Sequence, residues 1–167
     1  MASVSDLSLK YHLFLKTYRF RRLDPVPWAP PAKPLEDCRV ALVTTAGFHL
    51  PGTPPFDEQK PGGDTSYRLL PVRGSDGAPA DHLRDLLVSH RSTSFDRSGI
   101  EADYNLALPV ARFVELEAER RIGALHPEAL SFMGSITAPG RLVKESAPGA
   151  AEHLRSAGVD AAFLCPV

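Results

Sequence analysis

Residues 38–47, CRVALVTTAG, form an apolar run that ends in a Thr-Thr-Ala-Gly segment. An uninterrupted run of this kind is typical of a strand that is buried on both faces, as in a parallel sheet. The residues at its end predict that the strand opens into a loop. A second such run, residues 160–166, follows Gly158 near the end of the chain. We therefore expect both runs to be parallel strands of one sheet.

Two segments between these runs have helical patterns. Residues 109–123, PVARFVELEAERRIG, begin with proline, end with glycine and space their apolar residues as one helix face requires. Residues 141–158 form the second helical pattern, in which Pro148 marks a break or a restart at a new first turn. Shorter strands are predicted at 66–72, 85–90 and 130–136. This order of strands and helices predicts an α/β fold with three layers, in which helices flank a mostly parallel, Rossmann-like sheet.

The chain before the first strand has a different composition. Apolar residues between positions 7 and 18 predict a short amphipathic helix, and residues 24–37 form a Pro-rich lead-in that contains Trp28. We therefore expect two regions: residues 1–37 as an N-terminal extension, and residues 38–167 as a single α/β domain. A buried strand is an unusual place for a chain to finish, so this domain is expected to lack its C-terminal part.

Composition excludes several classes of function. A net charge of -1 gives no field that would attract nucleic acid or anionic lipid. The N-terminus lacks the layout of a secretory signal, and no apolar stretch is long enough to span a membrane. Cys38 and Cys165 are therefore expected to be reduced thiols in the cytoplasm. The sequence also lacks the GxGxxG, GxxxxGK[ST] and GxSxG fingerprints of dinucleotide, triphosphate and esterase sites.

The strand ends indicate a candidate site, because ligands bind beyond the carboxyl ends of parallel strands. The polar residues at those ends are Thr44, Thr45, His49, Ser89, His90, Ser131 and Ser135. His49 and His90 have no carboxylate or thiol at ligand spacing, so we predict no metal. They are either held by backbone hydrogen bonds or serve in proton transfer or anion binding.

Three further polar residues have alternative interpretations. Asp64 in GGDTSYR either caps a turn or lines a site. Arg68 either binds a carboxylate through two hydrogen bonds or lies on the surface. Asn105, shortly before the helix at Pro109, is in a position typical of a turn or cap residue.

Six segments in order resemble the glycine/sarcosine/betaine/D-proline reductase selenoprotein B family, and within it the smaller of the D-proline reductase chains. They are VPWAPPAKPLEDCRVALVTTAGFHL, GGDTSYRLLP, LLVSHRSTSFD, DYNLALPVARFVELEAE, LSFMGS and AGVDAAFLCPV. The resemblance runs from about Val26 to Val167 without a large gap.

The resemblance implies an oxidoreductase that reductively cleaves a C–N bond in an amino acid or a related small substrate. It implies no bound cofactor, but a selenocysteine in a Sec-x-x-Cys arrangement directly after the strand that ends at Val167. A thioredoxin-like thiol donor would reduce this centre again. The resemblance further implies a pyruvoyl-type partner subunit and a homo-oligomer.

The same resemblance assigns a substrate pocket to His49, Asp64, Arg68, Ser89, His90 and Asn105. Arg68 would bind an anion, His49 or His90 would supply a proton, and Cys165 would have no catalytic role. The chain is expected to end at an in-frame UGA codon, so that 167 residues alone are inactive. A residue placed after the strand, on the first turn of a following helix, would be stabilised as an anion by the helix terminus. The alternative is a non-catalytic subunit or small-molecule binding domain that retains the fold without the redox centre.

Overall fold

The computed structural model describes residues 24–26, 28–92 and 94–167, together with Leu9, Leu13, Lys16 and Thr17. The chain divides into two compact units, Met1–Pro30 and Pro31–Val167. In the first unit, the four separately described residues are helical, and the Thr17 hydroxyl donates to the Leu13 carbonyl at 3.1 Å. The remainder of the N-terminal helix predicted between positions 7 and 18 lies outside the described residues.

The second unit contains a sheet and a separate two-stranded ribbon. The sheet strands are β1 (Arg39–Thr44), β3 (Tyr67–Pro71), β5 (Ala124–Leu125), β6 (Glu128–Phe132) and β7 (Ala161–Cys165). The ribbon pairs β2 (Phe48–His49) with β4 (Leu87–Val88) in antiparallel orientation. The α-helices are α1 (Ser98–Ala102), α2 (Val110–Ala118) and α3 (Ala147–Ser156).

Strand β1 lies in the middle of the sheet. Val40 pairs with both Leu125 of β5 and Ala161 of β7. Further along, Thr44 pairs with both Ser131 of β6 and Cys165 of β7. A strand has only two edges, so β5 and β6 share one edge of β1 and β7 occupies the other.

Both faces of β1 are covered, as its unbroken apolar sequence predicts. Val40 and Leu42 belong to the larger core, whereas Ala41 belongs to a second core on the opposite face. Phe113 of α2 contributes to the larger core and Leu154 of α3 to the second. Each fully buried side chain of this size contributes about 1.5–3 kcal/mol to folding. The alternation therefore accounts for a three-layer arrangement around β1.

The predicted restart at Pro148 is confirmed. A π-helical turn, Leu142–Ser146, precedes α3, and Pro148 lies in the first turn of α3. Proline has no N–H to donate, so it fits where the first N–H groups of a helix have no intrahelical partner. The predicted parallel pairing of β7 with β1 is also confirmed, by the register of the two strands.

The sheet is mixed: β1 pairs in parallel with β5, β6 and β7, as predicted, and one further pairing is antiparallel. Strand β3, from the predicted strand 66–72, runs antiparallel to β6, with Tyr67 opposite Phe132. Of the predicted strand 85–90, only β4 is extended, and it pairs with β2 outside the main sheet. Along the chain, the segment between β1 and β5 contains the two ribbon strands, β3 and short helices. In a Rossmann-like fold, a single crossover helix would connect two such parallel strands. That Rossmann-like arrangement is not confirmed. Among the described residues, no helix is both long and apolar enough to cross a membrane.

Candidate functional site

The end of the chain is held at the carboxyl end of β1. The backbone N–H of Thr45 donates to the Cys165 carbonyl at 3.1 Å. The N–H of Val167 donates to the Thr45 hydroxyl oxygen at 2.8 Å, and that hydroxyl lies 3.4 Å from the Val167 carbonyl. Thr45 thus holds the end of β7 and the chain beyond it, through its backbone N–H at Cys165 and through its side chain at Val167.

His90 follows β4 and reaches the same edge. Its backbone N–H donates to Glu58 Oε1 at 3.1 Å, and the residue is 4% exposed. Its Nδ1 accepts a hydrogen bond from the Ser92 backbone N–H at 3.2 Å, and the ring packs on Phe95 with centroids 4.9 Å apart. Because Nδ1 is an acceptor, the neutral ring carries its proton on Nε2.

Gly134 shows how closely His90 approaches the end of the chain. A Cβ at Gly134 would lie 2.4 Å from His90 Nε2, 2.9 Å from the Val167 carbonyl oxygen and 3.0 Å from the Thr45 carbonyl oxygen. These three atoms therefore surround one small space, which only glycine leaves free. We call Thr45, His90, Gly134 and Val167 the carboxyl-edge site.

The His90 ring is buried, and its Nε2 lies close to the Val167 carbonyl but forms no hydrogen bond of good geometry with any described residue. Burial lowers the pKa of His90, and the Arg97 guanidinium lowers it further. The nearby Val167 carbonyl and the Glu58 carboxylate oppose this effect on the pKa. A lowered pKa keeps the ring neutral, with an Nε2–H that can donate to an anion beside Val167.

Arg68 binds the loop that precedes it in the sequence. Its Nε donates to the Pro54 carbonyl and its Nη2 to the Pro55 carbonyl, both at 2.9 Å. Its Nη1 donates to Ser66 Oγ at 2.9 Å, and the guanidinium lies 4.3 Å from the centroid of the Phe56 ring. The described contacts therefore give Arg68 a structural role in holding the loop. Its binding of a substrate anion stays a prediction.

Asp64 organises the same loop. Its Oδ2 accepts from the Asp57 N–H at 3.0 Å, and its Oδ1 accepts from the N–H and hydroxyl of Ser66 at 3.1 and 2.8 Å. Burial alone would raise the pKa of Asp64. The hydrogen bonds from Asp57 and Ser66 and the charge of Lys60 outweigh burial and lower this pKa to about 2. These contacts match the turn-forming interpretation, and a role in substrate binding stays a prediction.

Replacing Asp64 with asparagine is expected to remove a pH-dependent contribution to stability. The folded state binds the Asp64 proton more weakly than the unfolded chain, so the carboxylate stabilises the fold above its unfolded pKa of 3.8. A shift from 3.8 to about 2 corresponds to about 2 kcal/mol, and it is lost as the pH falls through that interval. Urea unfolding of wild type and Asp64→Asn should therefore differ most above about pH 5 and converge between about pH 4 and pH 2.

Asp76→Asn is the matched control for this measurement, because Asp76 is an exposed loop aspartate that accepts one backbone hydrogen bond from Ala78. A stability difference for Asp64→Asn that does not change between pH 6 and pH 2 would contradict the assigned role of the charge.

The remaining predicted residues lie elsewhere or have other partners. His49 is 5% exposed, and its Nδ1 lies 3.5 Å from the Gly47 carbonyl. Asn105 caps α2, because its Oδ1 accepts from the Ala111 N–H at 3.0 Å. Asn105 also lines a surface cavity of about 690 Å³ that includes no residue of the carboxyl-edge site. Ser89 is buried, and its N–H donates to the Gly47 carbonyl at 3.0 Å.

The two thiols lie in unreactive surroundings. Cys38 is buried, and its Sγ lies 3.2 Å from the Pro34 carbonyl. Cys165 lies in β7, where burial raises the pKa of its thiol. Reactive cysteines are accessible thiols with a lowered pKa, so neither the buried Cys38 nor Cys165, with its raised pKa, has the environment of a nucleophile.

A group of possible metal ligands was missed by the sequence analysis. His126, Glu128 and His153 offer ligand atoms that all lie within 4.8 Å of one another. His126 and Glu128 form a His-x-Glu pattern, which in a regular strand would place the two side chains on the same side. That pattern is visible in the sequence, but it lies away from the carboxyl ends of the strands, where ligands were expected. We call these residues the His126 cluster.

Comparisons with known proteins point to one family of reductase components. The family described as Glycine/sarcosine/betaine reductase selenoprotein B matches residues 7–166. The D-proline reductase subunit gamma of Acetoanaerobium sticklandii is 34% identical over 140 residues, which are 84% of this chain and 53% of that protein. The glycine reductase complex component B subunit gamma of Symbiobacterium thermophilum is 30% identical over 93% of this chain and 34% of that protein. No match to a solved structure was found.

A third relative, the sarcosine reductase complex component B subunit beta of Peptoclostridium acidaminophilum, is 29% identical over 76% of this chain and 28% of that protein. The chain thus spans about half, or less, of the length of these curated relatives. Their names describe subunits and components of multi-subunit amino-acid reductases. Because the family match extends over nearly the whole chain, this protein belongs to the glycine/sarcosine/betaine reductase selenoprotein B family.

Proposed function

We propose that this chain forms the part of a reductase that presents a selenol or thiol nucleophile directly after Val167. The reaction is the reductive cleavage of a C–N bond in an amino acid or a related small substrate. The observation that carries the proposal is the approach of His90 Nε2 and the Val167 carbonyl to the same point beside Gly134. A residue that follows Val167 begins at this point. The names of the relatives support the class of reaction, since they are amino-acid reductase components.

A selenocysteine after Val167, with a cysteine three positions on, would supply the nucleophile and the second electron donor of the reduction. The chain's own residues bind and orient that segment. Thr45 fixes the Val167 backbone through its hydroxyl, and Gly134 leaves the space into which the reacting atom must fit. His90 donates its Nε2–H to the anionic nucleophile, or to the amine that departs when the C–N bond breaks.

The proposal includes partners that a reductase of this type requires. A thioredoxin-like dithiol donor supplies the two electrons that regenerate the centre, and a pyruvoyl-type subunit holds the substrate amine. Association with partner subunits is consistent with the apolar side chains of β7, where Phe163 is 46% and Leu164 67% exposed. Such side chains on a strand are typical of a contact surface. A cytoplasmic location and homo-oligomer formation are parts of the same proposal.

The 167-residue protein is expected to release no amine from glycine or sarcosine, and to leave the ring of D-proline unopened, in the presence of a dithiol donor. Its two thiols are in β7, where burial raises the pKa of Cys165, and in the core, where Cys38 is buried. Amine release should appear when the chain is extended by its own coding sequence, with cysteine in place of selenocysteine, and is combined with a pyruvoyl-type subunit. Cys165→Ser in the extended protein should leave the rate unchanged.

Turnover by the 167-residue protein that disappears in Cys165→Ser would place the nucleophile at Cys165 and contradict the proposal. The codon after Val167 gives a second test. UGA followed by a nearby cysteine codon supports a redox centre at this position. UAA or UAG would favour the alternative, a non-catalytic subunit or binding domain that retains the fold.

A further inference from the structure

The His126 cluster is separate from the carboxyl-edge site. The N–H of His126 donates to the Val40 carbonyl at 2.8 Å, near the start of β1. Thr45 of the carboxyl-edge site lies five residues further along the same strand, which corresponds to ~17 Å of extended chain. The cluster therefore has no part in the chemistry proposed for the end of the chain.

Three neighbouring elements bring the cluster together. His126 lies in the interruption between β5 and β6, and Glu128 is the first residue of β6. Pro127 between them forms a bend, and the ligand atoms of His126 and Glu128 lie within 4.8 Å of each other. His153 comes from α3, and its Nε2 lies 3.1 Å from Glu128 Oε2. The helix packs on this face through Ala150 and Leu154, which belong to the second core.

The environment of His126 indicates that its ring binds a ligand. It is 5% exposed, yet neither of its ring nitrogens has a hydrogen-bond partner within the described part of the chain. A buried polar group without a partner is costly, and such groups in folded proteins are usually paired with protein, water or an ion. The ligand atom of His126 lies within 4.8 Å of those of Glu128 and His153.

The three donors have the chemistry of a transition-metal site. Two imidazoles and one carboxylate are a common ligand set for Zn²⁺, with a fourth position left for water. Metal–ligand distances of about 2.0–2.2 Å place neighbouring ligand atoms of a tetrahedral site about 3.3–3.6 Å apart. His153 Nε2 and Glu128 Oε2 are 3.1 Å apart, slightly closer than this spacing, and both residues are partly exposed, so the metal has a path from solvent. The ligand atom of His126, within 4.8 Å of the other two, would move inward by roughly 1 Å.

We propose that His126, Glu128 and His153 form a binding site for a divalent transition-metal ion of the Zn²⁺ type. The ion would join the β5–β6 segment to α3. It would thereby stabilise the packing of the helix on the sheet, because a metal that binds the folded state stabilises that state.

The test is equilibrium dialysis of metal-free protein against Zn²⁺ alone, with protein-bound zinc measured by elemental analysis. We expect one Zn²⁺ per chain in the wild type, and an affinity at least about tenfold lower in His153→Ala and in Glu128→Gln. Both residues are partly exposed, so these variants should fold. His82→Ala is the matched control, because His82 contacts the Pro71 carbonyl and lies outside the cluster. Its affinity should equal that of the wild type.

Two further measurements separate this site from other sources of zinc binding. Cys38→Ser/Cys165→Ser should retain the bound Zn²⁺, since no thiol is in the ligand set. Zn²⁺ should raise the melting temperature of the wild type and of His82→Ala but not that of His153→Ala. The proposal is overturned if zinc does not bind stoichiometrically. It is also overturned if His153→Ala and Glu128→Gln bind zinc as the wild type does, or if serine at the two cysteines removes binding.

Discussion

His90→Gln in the extended, cysteine-containing protein is expected to lower the rate of amine release by about 10²-fold or more. A positioned proton donor or acceptor typically contributes 10²–10⁴-fold to a reaction rate. Glutamine fills a similar volume and can form a hydrogen bond, but it cannot transfer a proton at neutral pH. His82→Gln is the matched control, because His82 lies outside the carboxyl-edge site, and its rate should be unchanged.

The pH dependence of this rate gives an independent test. Burial and the Arg97 guanidinium lower the pKa of His90 below 6.5, so the neutral ring persists to more acidic pH than an exposed histidine would allow. A second proton would have to occupy Nδ1, where the Ser92 N–H already donates. The rate of the wild type should therefore fall only on the acid side of pH 6.5, and this decline should be absent in His90→Gln. A decline that persists in the variant would assign the titration to another group.

The central strands could be predicted from the sequence because their environment fixes their composition. A strand buried on both faces, such as β1, must be apolar at nearly every position, and that pattern is visible without a structure. The antiparallel direction of β3 could not be predicted from the sequence, since a short apolar strand has the same sequence pattern in either orientation. The strand predicted at residues 85–90 is present but shorter, and its pairing could not be predicted for a related reason: Leu87 and Val88 pair with β2 in the ribbon and not with the main sheet.

The candidate site was partly predictable for the same reason. His90 could be found because it follows a strand, and strand ends can be recognised in the sequence. Gly134 and the Val167 carbonyl could not, because their approach to His90 depends on how separate elements pack. Arg68 has contacts that its sequence did not indicate. Its charge suggested an anion, but its donors reach backbone carbonyls 13 and 14 residues earlier, a long-range contact that no local pattern indicates.

Gly47 connects the fold to the site, and its replacement is expected to have the largest effect on stability. Its φ of +74° favours glycine, and a Cβ there would lie 1.9 Å from the Ser89 carbonyl oxygen. The backbone of Gly47 is also fixed on both sides, since its N–H donates to Phe132 at 2.8 Å and its carbonyl accepts from Ser89 at 3.0 Å. The clash cannot be relieved by rotating a side chain, so β4 and the following His90 would have to move.

Gly52 provides a matched control for the Gly47→Ala variant, because its φ is +77° and a Cβ there would meet nothing within 4 Å. Gly52→Ala therefore measures the backbone strain alone, about 1–2 kcal/mol, or roughly 2–8 °C in melting temperature. Gly47→Ala adds the collision with Ser89, and we expect at least about 4 kcal/mol in total, which lowers the melting temperature by roughly 8–16 °C or prevents folding. Thermal melts of the two variants beside the wild type give the comparison.

If both variants melt at the same temperature, the close approach of Gly47 to Ser89 is absent in solution. The ribbon would then not be held against the sheet as described, and the placement of His90 beside Val167 would lose its structural basis.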